Sequence, residues 1–223
     1  KDIQKKRIYL REGEKPPKGV TPKRGPRGGA YYESSQLEGS QEEIPPKAKK
    51  ILKHYAQRDK GEGESIQLPT KTHLDAILSH GTFSLISAGR NPNSKEDEKL
   101  SDDEIDARSE QLAKDLKEKG YVFSKVLGNY GEYEDSYLVM TFDAKEKDML
   151  ELGKKYNQES VILTSQSKNK MFYLSGDNEG KYHSGDSWGK LPPAQKEYFT
   201  QAEFKDGTKY KFTLNFDFDS LLD

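Results

Sequence analysis

The chain is most constrained between residues 82 and 163, where six segments follow as strand, helix, strand, strand, helix, strand, with a marker at almost every boundary. The first is the apolar run Thr82-Phe83-Ser84-Leu85-Ile86-Ser87-Ala88, broken by Gly89-Arg90-Asn91-Pro92. Proline biases the residue before it away from helix, so the strand ends in a turn. After a polar loop, Ser101-Asp102-Asp103-Glu104 has the form of a capping box, a hydroxyl answered by a carboxylate three residues on. Ile105, Leu112, Ala113 and Leu116 then make an apolar helical stripe that runs out before Gly120. Residues 121–129 and 136–142 read as two strands joined by the loop 130–135. A second helix opens at Asp143 with Glu146, carries Met149, Leu152, Gly153 and Tyr156 on one face, and leads into a strand at 160–164. This order predicts an α+β fold with a ferredoxin-like split βαβ (βαββαβ) core, an antiparallel sheet backed by two helices on one face.

The flanks add to that core. Residues 72–79 predict a short helix stopped by His80-Gly81. Downstream, 171–175 predicts a strand, 182–193 an irregular loop holding Trp188, and 198–204 with 208–216 a hairpin turning at Asp206-Gly207. These extra C-terminal strands either extend the sheet or cover its open face, and the pattern permits both.

The net charge of -1 hides a division: residues 1–60 hold 16 Lys/Arg against 8 Asp/Glu, and the remaining 163 residues hold 21 against 30. Opposite bias in two segments predicts a modular chain. We divide it into a small Pro/Gly-rich β module at 1–33, a linker at 34–64 and an α+β core at 65–223. The module has the run Ile8-Tyr9-Leu10 and closely spaced Pro and Gly, and buries too little to stand alone. Its Lys23, Arg24 and Arg27, set among glycines, read either as a phosphate grip or as a solvated turn, without the spacing of a P-loop. Within the linker, 46–57 predicts a basic amphipathic helix, with Ala48, Ile51, Leu52 and Tyr55 on one face. Lys47, Lys49, Lys50, Lys53 and His54 cover much of the rest, as a contact for nucleic acid or an acidic partner, or as the solvated side of a docking helix.

Several function classes drop out. The chain has no cysteine, which removes disulfides, thiolate metal sites and a cysteine nucleophile. No apolar run approaches the roughly 20 residues needed to span a bilayer, so no membrane partner is expected. No signal peptide is visible at Lys1, and a start without methionine predicts a piece of a longer product. The histidines His54, His73, His80 and His183 are scattered and lack the spacing of a zinc pair. Asp217 and Asp219, two apart on an expected strand, share a direction but have no third ligand, so no metal is expected. No serine elbow and no dinucleotide fingerprint is present; no cofactor is expected, and no catalytic residue is assigned.

Two resemblances add to this reading. Ile8-Tyr9-Leu10, Pro17-Lys18-Gly19-Val20 and Arg24-Gly25-Pro26-Arg27-Gly28-Gly29-Ala30-Tyr31-Tyr32 resemble a short module of tailed-virus and provirus structural proteins, notably archaeal ones. That implies a virion or mobile-element setting. Leu85 to Pro92, Gly128 through Glu134 to Val139, and Leu152 to Ile162 resemble a family of small uncharacterised domains of bacterial genomes and phages. That family commonly has a small acid or amide before Asn-Pro where this chain has Gly89-Arg90. The resemblance implies a fold and carries no activity.

The candidate ligand site gathers Ser87, Arg90 and Asn91, whose guanidinium and amide suit a phosphate or carboxylate, with Glu134 and Gln158 beside it. In the competing reading Arg90 pairs with Glu96 or Glu98 and Asn91 caps its own turn. The end of the first strand and the start of the fourth are expected on opposite edges, so Arg90 and Gln158 need not share a pocket. The expected function is a virion-associated or provirus-encoded structural protein, in the virion or host cytoplasm, whose N-terminal arm tethers the core to viral structural proteins or to further copies of itself. Two alternatives stand beside it: a virus-carried effector domain binding or modifying a nucleotide-like ligand, and nucleic-acid binding through residues 1–60.

Overall fold

The computed structural model describes residues 7–10, 21–25, 29–33, 44–58, 61–129, 133–142, 145–190 and 198–223. The chain divides into two compact units, 1–45 and 46–223.

In the first unit β1 (Arg7–Tyr9), β2 (Lys23–Arg24) and β3 (Ala30–Glu33) form a sheet in the order β1-β3-β2, both pairings antiparallel. Tyr31, at the centre, is buried. Lys23 and Arg24 lie on β2 with exposed side chains, and Arg27 falls outside the described residues.

The second unit is α+β, with four α-helices among the described residues and a large, almost wholly antiparallel sheet. It opens on α1 (Pro46–Arg58), β4 (Glu64–Ser65) and α2 (Lys71–His80). There follow β5 (Thr82–Ser87), α3 (Asp102–Glu118), β6 (Val122–Asn129), β7 (Tyr133–Met140), α4 (Glu146–Lys155) and β8 (Ser160–Ser165). The tail supplies β9 (Lys168–Tyr173), β10 (Tyr182–Asp186), β11 (Trp188–Lys190), β12 (Phe199–Glu203) and β13 (Lys209–Leu214). Two strands thus occupy 182–190, where an irregular loop was expected. The capping box at Ser101 is complete: its hydroxyl accepts from the Glu104 amide at 3.2 Å, and the Glu104 carboxylate accepts from the Ser101 amide at 2.8 Å. At α4 the cap is Lys145, and Asp143 lies outside the described residues.

The sheet runs β10-β9-β8-β5-β7-β6-β12-β13-β11, with β4 paired in parallel to the first residues of β6. The extra C-terminal strands therefore extend the sheet. They also bend it into a barrel-like form, because its two outermost strands, β10 and β11, are separated only by Ser187. The chain leaving β13 returns to β10: the Asp217 amide donates to the Ser184 carbonyl at 2.8 Å, and Tyr182 and Leu222 exchange two bonds of 2.9 Å. Gly185 permits this approach, since a Cβ there would overlap the Asn215 carbonyl. Asn169 Nδ2 holds the seam, donating to the carbonyls of Ser187 at 2.8 Å and Asn215 at 3.1 Å.

Alternation along the strands divides the interior in two. Ile86, Phe123, Tyr137, Val139, Val161 and Leu163 meet α3 and α4 through Leu112, Leu116, Met149 and Leu152. Phe83, Leu85, Leu138, Met140 and Ile162 point the other way and cluster with α1, α2, β12 and β13.

α1 packs within the second unit, which runs from Pro46. Ile51 and Tyr55 belong to its buried core, and Tyr55 Oη lies 2.6 Å from His73 Nδ1 on α2. An apolar stripe of that width must be covered, and α2 covers it. No helix among the described residues is long and apolar enough to cross a membrane.

Candidate functional site

The turn after β5 is densely bonded, with Gly89 held by side chains from α3, β7 and the segment before β8, and Asn91 by Asp97. β5 and β8 are antiparallel neighbours in the register Leu85↔Ile162, which sets the end of one beside the start of the other. The expectation of opposite edges is therefore corrected. Gln158 Nε2 donates to the Gly89 carbonyl and to the Tyr156 carbonyl, both at 2.9 Å.

From the other side β7 pairs with β5 in the register Ser87↔Ser136, which brings Glu134 to the turn. The Ser87 hydroxyl donates to Glu134 Oε1 and stands 3.1 Å from the Asp135 carbonyl, while its oxygen accepts from the Gly89 amide at 2.9 Å. A Cβ at Gly89 would collide with the Glu134 carboxylate, so only glycine lets that carboxylate lie against the backbone. Burial pushes the Glu134 carboxyl above its ordinary value, and the bonds from Ser87 and the Gly89 amide only partly offset this.

Beneath the turn lies Arg108, from α3. Its Nη2 donates to the Gly89 carbonyl at 3.1 Å and also to the Tyr156 carbonyl, and its Nη1 donates to Asp97 Oδ1 at 3.0 Å. Asp97 is buried and accepts further from the Asn91 amide at 2.9 Å and from Asn157 Nδ2 at 3.1 Å. Burial alone would raise its carboxyl; the bonds from Asn91, Asn157 and Arg108 outweigh that and hold it below the usual value.

Of the residues expected to form a site, Ser87, Asn91, Glu134 and Gln158 meet at this turn. Asn91 serves the loop itself, accepting from the Asn93 amide at 2.9 Å and donating to the Ser175 hydroxyl at 3.0 Å. Arg90 does not join the cluster: its Nη2 donates to Asp102 Oδ1 at 2.8 Å and to the Leu100 carbonyl at 2.7 Å. The partner is thus Asp102, not Glu96 or Glu98. Arg108 and Asp97 were missed. One signal for Arg108 was available, since it falls three residues after Ile105 and four before Leu112, a cation on the apolar side of its helix.

Elsewhere the thin candidates dissolve. Asp217 and Asp219 lie beyond β13, where Asp217 Oδ1 accepts from the Asp219 amide at 3.1 Å. Among the described residues no group of three His, Asp or Glu is placed to hold a metal ion. A cavity of about 640 Å³ opens at the other end of β5, lined by Thr82, Ser84, Ser165, Lys170 and Asp186 among others. We assign the candidate site to the Gly89 turn because the half-buried Glu134 carboxylate and the Arg108 guanidinium both bond to the backbone of Gly89.

The S-Adenosylmethionine lyase family model matches residues 84–215, more than half of the chain. The chain belongs to the S-adenosylmethionine lyase family. Among curated proteins none matches it. The S-adenosylmethionine lyase match spans β5 to β13 and so includes Ser87, Gly89, Asp97, Arg108, Glu134 and Gln158. It leaves out α1, α2 and the first unit.

Proposed function

We propose that the second unit is an S-adenosylmethionine lyase whose active site is the Gly89 turn, with Glu134 binding the substrate's α-ammonium group. The supporting observation is the half-buried Glu134 carboxylate, held by Ser87 and the Gly89 amide. A sulfonium leaves a carbon readily as a neutral thioether. In the reaction we propose, the substrate's own carboxylate attacks Cγ: a C–O bond forms, the Cγ–S bond breaks and its electron pair stays on sulfur. Homoserine lactone and 5′-methylthioadenosine result, without water or a proton donor. The carboxylate and sulfonium charges vanish together, so exclusion of water favours the transition state. The α-ammonium keeps its charge throughout, so Glu134 can orient the substrate there without stabilising the ground state over the transition state.

Incubation of the chain with S-adenosylmethionine, followed by separation of the products, tests this. Methylthioadenosine with homoserine lactone supports it; S-adenosylhomocysteine, the mark of methyl transfer, or no turnover rejects it. We also read β5, α3, β6, β7, α4 and β8 as a ferredoxin-like unit, on the strength of the order β8-β5-β7-β6. The first unit carries a separate proposal, docking to a larger viral assembly, supported by its resemblance to virus-associated modules. Co-purification with particles tests it.

A further inference from the structure

We propose that the outer face of α1 is a nucleic-acid surface, with Lys47, Lys49, Lys50 and Lys53 contacting backbone phosphates. The helix Pro46–Arg58 contains these four lysines and no carboxylate. All four are exposed, and none forms an ion pair among the described residues.

Such a helix is assembled against local preference. Lys47, Lys49 and Lys50 sit in and next to the first turn, where the helix dipole disfavours cations. Lys47 with Lys50, Lys49 with Lys53 and Lys50 with Lys53 are like-charged neighbours at spacings of three or four, which destabilise a helix. It forms because Ile51 and Tyr55 are buried on the opposite side. A local rule broken with no gain inside the fold points to a function outside it. Lys205, close enough to act on His73 together with His54 and Lys47, extends the positive field past the helix.

The geometry selects among polyanions. An amphipathic helix that binds lipid must insert its apolar face, and here that face is committed to the core. Lys47 to Lys53 spans about 9 Å of rigid helix. A duplex presents a phosphate about every 1.7 Å of its axis, so such a row finds phosphates opposite it on any sequence. An acidic peptide would need its carboxylates in matching register. The inference rests on α1 alone and stands whether or not the chain cleaves S-adenosylmethionine.

The test is fluorescence anisotropy of the full chain with a labelled DNA duplex of arbitrary sequence, titrated across a range of NaCl concentrations. The variant K47Q/K49Q/K50Q/K53Q alters only exposed side chains, and an unchanged or raised Tm verifies that it folds. The expected result is at least a thirtyfold loss of affinity at low salt. The slope of log K against log salt should flatten by about 3 to 4 units if all four contacts are lost. A slope unchanged to within one unit overturns the proposal. So does a poly-glutamate chain that displaces the DNA at equal concentration of charge, which would assign the face to an acidic protein.

Discussion

Gln158 and Gly89 are joined by a hydrogen bond of 2.9 Å that ties the start of β8 to the end of β5. The same amide nitrogen reaches the Tyr156 carbonyl, so one side chain fixes two stretches of backbone at the proposed site. Gln158→Leu keeps the volume and removes both bonds. Arg108 still serves both carbonyls, so the expected loss is about 1 to 2 kcal/mol of unfolding free energy in a urea titration. KM for S-adenosylmethionine should rise as the turn loosens. A midpoint equal to that of the parent chain would show that Gln158 anchors nothing.

Glu134 separates activity from stability. Its raised carboxyl is a group whose neutral form the fold prefers, so its contribution to stability is full below the ordinary value of 4.5 and is lost as pH rises through the folded value. At neutral pH, Glu134→Gln should therefore melt at or above the temperature of the parent while kcat/KM falls about a hundredfold, chiefly through a higher KM. Loss of both together would recast Glu134 as a structural residue.

The same carboxyl sets a pH limb. Turnover that needs ionised Glu134 should rise with pH along a limb lying above 4.5. The Ser87 bond lowers that carboxyl, so Ser87→Ala should move the limb to still higher pH. A limb that stays in place or moves down contradicts the assignment.

Gly89→Ala places a methyl group against the Glu134 carboxylate. The obstruction is the far end of a side chain, which can swing aside, so the fold should survive with near-parental circular dichroism. kcat/KM should fall at least tenfold, because the displaced carboxylate no longer meets the substrate. Full activity would show that the close approach is incidental.

Asp97 should govern acid stability. It accepts from Asn91, Arg108 and Asn157, and its folded value lies below the ordinary 3.8. A depressed carboxyl contributes stability that is full above the unfolded value and is lost as pH falls through the folded one. Asp97→Asn leaves the Arg108 guanidinium without its carboxylate, at an expected cost of about 3 to 5 kcal/mol at neutral pH. The parent's urea midpoint should decline steeply below pH 4, and the variant should lose that decline.

Much of this was legible in the chain. Alternating strands, the Ser101 box and the stops at Gly81 and Gly120 place the elements from β5 to β8, because each depends on neighbours within a few residues. Ser87, Asn91, Glu134 and Gln158 were each legible as candidates, but Gln158 was expected at the opposite edge, and only the antiparallel pairing of β5 with β8 brings it to the turn. What stayed hidden depends on pairing across long separations. Nothing near Gly185 tells that Asn215 will cross it, so 182–190 read as a loop. Arg108 looked like one charge among many on α3, and Asp97 like any acid in a polar loop, until folding set both beneath Gly89. The stripe of Ala48, Ile51, Leu52 and Tyr55 was plain; that α2 would cover it was not.

The one-residue link at Ser187 bears on how the second unit meets its surroundings. One run of backbone thus carries both margins of the sheet, and the chain after β13 covers part of one of them, through the Asp217 amide on Ser184 and the Tyr182–Leu222 pair. Disruption at that residue would release both margins together, so the first large opening of the sheet should expose β10 and β11 in the same event.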